Sequence, residues 1–389
     1  MKVLLVGCGA PLKSMGAYHA LQILDGRVPD AELQYVVEPW YFKDAAKNTP
    51  GYDEFHAWRK TIHAKHGVEF FSSVKEVPPP TDGDLRLAII SARTADNPAL
   101  LEACVTVGQC TAIYLEKPGA TTVEDLEAMR DLAASKNVPV HMGFNKNVSS
   151  YVSKTRAFAK KHNEELLAEN RSGHADVTFV HNNNYPNTPE ALSECFERNA
   201  EGMLKNMAIH ELAILVTFYG LTVDTIESVV ADTEYSSLKT FGKFTDFVKL
   251  KFQLSLSTDD GGNHPISVAA DRCGGDESVG IVRHRGGNPE QKGTVLSIGG
   301  SDPKEEEQDD RFVMPDDETV ANIPTLRARY GDAMPYFFTQ DPDYLELKKR
   351  VVRSLVQSTD AEGVASIDMA IETLKVAEYL TPILREQLK

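Results

Sequence analysis

The fold is decided at the start of the chain, where residues 2–9 read KVLLVGCG. Residues 2–6 predict a short strand, and Gly7-Cys8-Gly9 joins it to a helical pattern at residues 15–24. Glycines in such a turn let backbone N–H groups approach a pyrophosphate, which then lies at the helix N-terminus. The stretch therefore predicts a dinucleotide-binding strand–turn–helix unit.

The turn is longer than the GxGxxG spacing allows, because the next glycine is Gly16. Aligning Gly16 with the glycine that packs the helix against the strand leaves extra residues in the turn. Lys13 and Ser14 either reach a phosphate from there or are exposed loop residues. The expected coenzyme-binding residues of the turn are Gly7, Gly9, Lys13, Ser14 and Met15.

A second strand at residues 33–37 ends at Glu38. A carboxylate there accepts hydrogen bonds from the adenosine ribose hydroxyls and repels a 2′-phosphate. This favours NAD over NADP, although Lys43 leaves NADP open.

Strand and helix patterns alternate up to residue 145, which indicates parallel βαβ units. Apolar runs at residues 224–300, the last at 294–298, predict mostly strands, and two helices at 342–356 and 361–386 close the chain. We therefore expect an α/β Rossmann dinucleotide-binding domain at 1–145. An α+β domain for substrate binding and oligomerisation, with a large, mostly antiparallel open sheet, follows at 146–389. The final helix is able to pack back on the first domain.

Composition narrows the classes of function. Among 389 residues, acids outnumber bases by 57 to 41, a formal net charge of −16. This argues against nucleic acid and anionic membrane surfaces as partners. The 5 cysteines lack CxxC spacing and the 11 histidines lack ligand spacing, so we expect reduced thiols, a cytoplasmic location and no metal.

Three further segments carry a resemblance. Residues 115–118 read LEKP, residues 143–146 read GFNK, and residues 202–210 read GMLKNMAIH. Together with the glycine turn, they resemble the Gfo/Idh/MocA oxidoreductases, a family that includes glucose-fructose oxidoreductase and inositol dehydrogenase. The last segment is similar to the family's G-x-L-x-D-x-G-x-H helix.

The resemblance implies that Lys117 lies beside the nicotinamide and hydrogen-bonds the reacting oxygen, before a proline, Pro118, that is often cis in the family. It implies that His210 is the general acid/base, in keeping with the pH range in which imidazole titrates. This chain has Asn206 where the family has Asp, four residues before His210 on one expected helix face. An amide still orients a substrate hydroxyl, but it favours the imidazolium form of His210 less strongly than a carboxylate does, which leaves Lys117 open to a larger share of the proton transfer.

Contacts on the nicotinamide side are expected from Arg93, Asn97, Glu116 and Lys117, with capping of the following helix as the alternative role of Asn97. The expected substrate-binding residues are Lys117, Asn145, Asn184, Tyr185, Arg198, Asn206 and His210. If Arg198 and Lys205 point inward they select an anionic substrate, and if outward they are surface charge.

These residues predict an NAD(P)-dependent dehydrogenase or reductase acting on a secondary alcohol or ketone of a sugar, a cyclitol or a related acid. The alternatives are a dinucleotide-binding regulator without turnover and an enzyme that uses tightly bound NAD transiently. By analogy with the family, a homodimer or homotetramer is expected.

Overall fold

The computed structural model describes residues 1–81, 83–168, 174–257, 263–283, 309–331 and 333–389. The first part of the chain alternates strands with helices. Its elements are β1 (Lys2–Val6), α1 (Met15–Leu24), β2 (Glu32–Val37), α2 (Tyr52–His66), β3 (Glu69–Phe71), β4 (Arg86–Ile90), α3 (Asn97–Thr106), β5 (Ala112–Leu115), α4 (Val123–Ser135) and β6 (Val140–Met142).

The second part mixes helices with longer strands. Its elements are α5 (Ser150–Ala168), β7 (Asp176–Asn182), α6 (Pro189–Arg198), α7 (Met203–Asn206), α8 (Ile209–Tyr219), β8 (Ile226–Ala231), β9 (Ser237–Phe241), β10 (Phe244–Ser257), β11 (Asn263–Asp271), β12 (Ser278–Arg283), β13 (Asp309–Met314), α9 (Asp317–Tyr330), α10 (Pro335–Thr339), α11 (Asp341–Gln357) and α12 (Ile367–Gln387).

The first sheet is parallel throughout, with strand order β3-β2-β1-β4-β5-β6. Strands β4 and β5 are buried at every residue, because helices cover both faces of a sheet built from βαβ units. The strand order reverses between β1 and β4, where such sheets bind nucleotides at their carboxyl edge. The predicted Rossmann fold is confirmed.

The second sheet is mostly antiparallel, as predicted. Within the described residues its order is β13-β12-β7-β11-β10-β8, and β9 pairs with β10. The pairing of β7 with β11 is parallel. The strand expected at residues 294–298 lies outside the described residues.

The chain forms two compact units, each built from two segments. Unit 1 consists of Met1–Val148 and Asp317–Ile371, and unit 2 of Ser149–Asp316 and Glu372–Lys389. The division differs from the expected single boundary after residue 145, because α9, α10 and α11 bury their apolar side chains in unit 1. The final helix α12 begins in unit 1 and continues in unit 2, where Val376 and Leu380 join the core.

The helix expected at residues 202–219 is two helices, α7 and α8, separated at Met207 and Ala208. The expectation that Asn206 and His210 share a face of one helix was wrong. Two contacts accompany the break: the Met207 carbonyl accepts a hydrogen bond from Nδ1 of His181, and Leu212 starts a new turn on the Ala208 carbonyl.

Candidate functional site

One row of residues lies along the carboxyl edge of the parallel sheet. Each residue that follows a strand donates its backbone N–H to the last carbonyl of the neighbouring strand, over 2.7–3.0 Å. The row, in spatial order, is Glu38, Gly7, Ser91, Glu116 and Gly143. It thus has a carboxylate after β2, a second after β5, and two small residues in the middle.

The glycine turn leaves no room for side chains. Gly7 and Gly9 have φ angles of +80° and +66°, which favour glycine. A Cβ on Gly16 would lie 2.3 Å from the Gly7 carbonyl oxygen and 2.7 Å from the Cys8 Cα. Gly16 is therefore the glycine that lets α1 pack on the turn, as the glycine pattern of the sequence predicted.

The longer turn is held together internally. The Ser14 hydroxyl lies 2.5 Å from the Cys8 carbonyl and 2.7 Å from the Ala10 carbonyl, and shares its one proton between them. The exposed Lys13 ammonium is 3.7 Å from Glu54, and Met15 opens α1. These contacts give Ser14 a role within the turn, and a phosphate contact by Ser14 or Lys13 stays a prediction.

Glu38 connects the second strand to the glycine turn. Its side chain is buried, with the residue 4% exposed, and its carboxylate accepts hydrogen bonds from the N–H groups of Gly9 (2.7 Å) and Trp40 (3.0 Å). A charged acceptor is therefore fixed beside the turn, at the place where a ribose contact requires one.

A cavity of about 760 Å³ opens along this part of the edge. Its lining includes Gly7, Gly9, Glu38, Lys43 and Arg93. The volume lies within the usual range for small-molecule sites. The structure thus brings four of the sequence-predicted coenzyme residues, and the lysine that kept NADP open, around one cleft.

The two residues predicted after β4 are placed differently from each other. Arg93 is largely exposed and pairs with Asp96 at 2.9 Å. Asn97 is buried, and its amide donates to the Gly119 carbonyl at 2.8 Å. Asn97 does not cap α3, whose N-cap is Asp96. It holds the turn after β5, and a direct coenzyme contact stays a prediction.

The segment 115–118 forms the turn that leaves β5. The Lys117–Pro118 peptide bond is cis, as the resemblance implied. Gly143 makes room for the neighbouring carboxylate, because a Cβ there would lie 2.9 Å from the Glu116 carboxyl carbon. The turn thus presents Glu116 and Lys117 at the carboxyl edge.

Glu116 is one end of a row of buried polar contacts that the sequence analysis did not predict. Its Oε1 lies 2.9 Å from Nε2 of His19 and accepts a hydrogen bond from the Tyr114 hydroxyl at 3.1 Å. Nδ1 of His19 lies 2.8 Å from the Lys348 ammonium. These three residues lie far apart in sequence, so no local sequence pattern indicated that they would meet.

Burial lowers the pKa values of the two bases in this row of contacts, His19 and Lys348. It lowers the pKa of His19 to about 4, together with the nearby Lys348 and against the opposing effect of Glu116. It also lowers the pKa of Lys348 to about 7, although Glu116 and Asp341 act in the opposite direction. The imidazole is therefore neutral at ordinary pH, and the lysine titrates near neutrality.

In unit 2, His210 lies at the start of α8, buried beside a second histidine. The rings of His210 and His181 are 5.9 Å apart in an edge-on arrangement. Nδ1 of His181 lies 3.0 Å from the Met207 carbonyl and 3.2 Å from the buried Glu211 carboxylate. Sequence analysis did not predict that His181 packs against His210 or that His181 contacts Glu211.

Asn206 donates its amide to Glu201 at 2.8 Å. Arg198 is 65% exposed and pairs with Glu194 of its own helix, while Lys205 pairs with Glu378 at 2.6 Å. Arg198 thus pairs at the surface with an acid of its own helix, and its contact with a substrate stays a prediction.

The remaining predicted substrate residues vary in accessibility. Asn184 is exposed and forms a β-bridge with Cys273, and Tyr185 is half-buried. Burial raises the pKa of Tyr185. Asn145, in unit 1, is fully buried, with its amide 3.2 Å from the Gln340 side-chain oxygen. Their substrate roles stay predictions.

Residues 1–144 match the model of an oxidoreductase family described as having an NAD-binding Rossmann fold, GFO_IDH_MocA. The match covers the nucleotide-binding part of the chain, and over that part the chain is similar to the Gfo/Idh/MocA oxidoreductases. The resemblance drawn from the motifs is confirmed, and so is NAD as the cofactor. No curated protein matches this sequence.

Solved structures share the fold over the whole chain. A probable dehydrogenase from Thermotoga maritima has a TM-score of 0.62 and 16% identity, covering 100% of this chain and 98% of its own. Scyllo-inositol dehydrogenase from Lactobacillus casei with NAD(H) and scyllo-inositol has a TM-score of 0.59 and 14% identity, covering 100% of this chain and 96% of its own. A myo-inositol dehydrogenase from Corynebacterium glutamicum has a TM-score of 0.59 and 17% identity, covering 99% of this chain and 97% of its own. These TM-scores establish a common fold.

Membrane-spanning helices and clusters of metal ligands are both absent from the residues that the structure describes. In that part of the chain, no helix is long and apolar enough to cross a membrane. Nor do three or more His, Cys, Asp or Glu side chains come together there as a set of metal ligands.

Proposed function

We propose that this protein is an NAD-dependent dehydrogenase or reductase for a secondary alcohol or ketone of a small polar substrate. The observation that carries the proposal is the cleft lined by Gly7, Gly9 and Glu38 at the point where the strand order reverses. A fixed carboxylate there suits the free ribose hydroxyls of NAD and disfavours the 2′-phosphate of NADP. The nicotinamide supplies the hydride chemistry when the coenzyme is bound.

The proposed roles of the side chains follow from their chemistry. Lys117 hydrogen-bonds the reacting oxygen and stabilises its alkoxide character. His210 takes or gives the hydroxyl proton, and Asn206 orients a substrate hydroxyl. Glu211 and the Met207 carbonyl fix a proton on Nδ1 of His181, which holds the ring packed against His210.

A cyclitol, a sugar or a related acid is the proposed substrate class. One structural relative is a scyllo-inositol dehydrogenase solved with scyllo-inositol, and another is an Agrobacterium radiobacter oxidoreductase in complex with L-tartaric acid. Amide and hydroxyl side chains, such as those of Asn184 and Tyr185, suit polyhydroxylated molecules.

The deciding experiment is calorimetric titration of coenzyme-free protein with NADH and NADPH. We expect micromolar binding of NADH, at least about tenfold tighter than NADPH, or ~1.4 kcal/mol. A preference for NADPH would contradict the role of Glu38 and point to Lys13 or Lys43. The absence of binding would overturn the proposal.

Turnover then tests Lys117. With NAD and a panel of inositols, sugars and hydroxy acids, Lys117→Ala should lower the rate about 10²- to 10⁴-fold. Binding of NADH should persist, because Lys117 acts on the substrate. Lys65→Ala, at an exposed position of α2, is the control. Unchanged turnover in Lys117→Ala would remove the assignment.

The homodimer or homotetramer and the cytoplasmic location expected from the sequence stay predictions. So does the assignment of substrate binding and oligomerisation to unit 2.

A further inference from the structure

Three ionisable side chains form an unbroken contact chain inside unit 1. Lys348 of α11 is 1% exposed and touches His19 of α1, which is fully buried and touches Glu116 after β5. The Glu116 side chain, 12% exposed, is the most accessible of the three. We call these residues the Lys–His–Glu array.

The hydrogen-bonding chemistry of the array fixes how its protons are arranged. A neutral imidazole has one donor and one acceptor nitrogen. An ammonium at Lys348 donates to Nδ1 of His19, so Nε2–H donates to the Glu116 carboxylate. The array then has one positive and one negative group and no net charge.

The same geometry provides a route by which one proton can be transferred from Lys348 to Glu116 and then leave the array. The Lys348 Nζ–H bond breaks as an Nδ1–H bond forms on His19, and the Nε2–H bond breaks as an O–H bond forms on Glu116. Glu116 then releases that proton to water. Lys348 is left as a neutral amine, His19 stays neutral with its proton on Nδ1, and the array has a net charge of −1.

Other charged and titratable groups surround the array. Asp341 of α11 is already paired with Arg27 at 2.5 Å. Tyr114 and Tyr344 have pKa values raised by burial, so both are neutral. Asp343 of α11 and Lys146, on the turn packed against α11, are buried and keep their own interactions.

We propose that the Lys–His–Glu array couples coenzyme redox state to one proton, losing it when NAD⁺ is bound and retaining it when NADH is bound. The inference rests on the proposed function. Glu116 lies two strands from the glycine turn on the same edge, on the side opposite Glu38. A dinucleotide spanning that edge with its ribose at Glu38 places its nicotinamide toward Glu116.

The sign of the coupling follows from charge. The nicotinamide ring is positive in NAD⁺ and neutral in NADH, so NAD⁺ favours the array with net charge −1. Binding of NAD⁺ should therefore strengthen as pH rises through the neutral range, where Lys348 titrates, and binding of NADH should change little. Lys348 acts through His19 and Glu116, as a positioning residue.

The test is the dissociation constant of each coenzyme at pH 6, 7 and 8, measured on coenzyme-free protein. We expect NAD⁺ to bind about fivefold more tightly at pH 8 than at pH 6, and NADH to change less than about twofold. The Lys348→Met variant lacks the group that releases the proton. The NAD⁺ affinity of this variant should be independent of pH and close to the wild-type value at pH 8.

The matched control is Lys349→Met, which removes the neighbouring lysine of α11 and should retain the wild-type pH dependence. A measurement on the wild type alone covers the case in which Lys348→Met does not fold. Calorimetry at pH 7 in two buffers of different ionisation enthalpy should show release of about 0.4 proton with NAD⁺ and close to none with NADH.

The outcomes separate the two proposals. Failure of both coenzymes to bind overturns the proposed function and this inference with it. If both bind with the same pH dependence and proton release, the proposed function stands and the array has no such role. If Lys348→Met keeps the wild-type pH dependence for NAD⁺, another group is responsible and the inference is wrong.

Discussion

Gly16 shows how one residue sets the shape of the coenzyme turn. A methyl group there would lie 2.3 Å from the Gly7 carbonyl oxygen, so the turn or α1 would have to move. We expect Gly16→Ala to cost about 1–3 kcal/mol in the free energy of unfolding and to weaken NADH binding at least about tenfold. Urea denaturation and NADH titration measure the two effects.

Gly67→Ala is the control for Gly16→Ala. Gly67 has a φ of +71° and open space around its Cβ position, so the substitution adds backbone strain without a clash at the turn. It should cost about 1 kcal/mol and leave NADH affinity unchanged. Wild-type affinity in Gly16→Ala would refute the close-packing role.

Burial of His141 makes the stability of the folded protein depend on pH. Burial lowers its pKa to about 4, from an ordinary value of 6.5, and its Nε2 has no hydrogen-bond partner among the described residues. The unfolded chain therefore binds a proton between pH 6.5 and 4 that the folded chain does not, and stability falls as pH falls through that window.

Replacing His141 with a residue that does not titrate should remove this loss of stability at acid pH. We expect His141→Met to reduce the drop in unfolding free energy between pH 8 and pH 5 by about 1–2 kcal/mol. Urea denaturation at the two pH values measures the drop. His66→Met, at the exposed end of α2, controls for loss of a histidine. An unchanged drop in His141→Met would contradict the burial argument.

At the scale of elements, α11 is tied to α1 by a buried carboxylate. Asp341 accepts hydrogen bonds from Tyr18 (2.5 Å), Gln22 (2.7 Å) and Arg27 (2.5 Å). Burial would raise the pKa of Asp341, but these hydrogen bonds outweigh it and hold that pKa below its ordinary value. The stabilisation is therefore complete at neutral pH and is lost only as pH falls below about 4.

Asp341→Asn should destabilise the protein by roughly 3 kcal/mol at pH 7, because it leaves the partly buried Arg27 without its counter-ion. The difference from the wild type should shrink as the pH is lowered through the acid range. Thermal unfolding at pH 7 and pH 3.5 measures both effects. Asp368→Asn, at an exposed position of α12, should change stability by less than about 0.5 kcal/mol. Equal effects of the two substitutions would contradict the stabilising role of Asp341 between α11 and α1.

At the scale of the whole molecule, unit 1 is completed by a distant stretch of chain. Leu347, Val351 and Val352 of α11 pack into the core under the parallel sheet. Tyr18 of α1 packs against Phe337 of α10, with ring centroids 5.0 Å apart. The first 148 residues alone would expose these contact surfaces to water.

We therefore expect a fragment of residues 1–148 to lack cooperative unfolding and to bind NADH far more weakly than the whole chain. Joining residues 317–371 to it through a flexible linker should restore both properties, measured by thermal unfolding and NADH titration. Wild-type binding by the shorter fragment would show that the first 148 residues form a complete domain.

The sequence by itself determined the parallel sheet, the glycine turn, Glu38 and the motif at residues 115–118. These features rest on local patterns: continuous apolar runs, glycine in a turn, and a charged residue directly after a strand. It also predicted the family, since the motifs are short and contiguous.

Only the tertiary structure decided which distant residues meet. It brought Lys348 and His19 to Glu116, completed unit 1 with residues 317–371, and divided the helix at 203–219 where His181 reaches the Met207 carbonyl. Such contacts depend on how buried polar groups find partners across the fold, and the periodicity of a single segment contains no information about them.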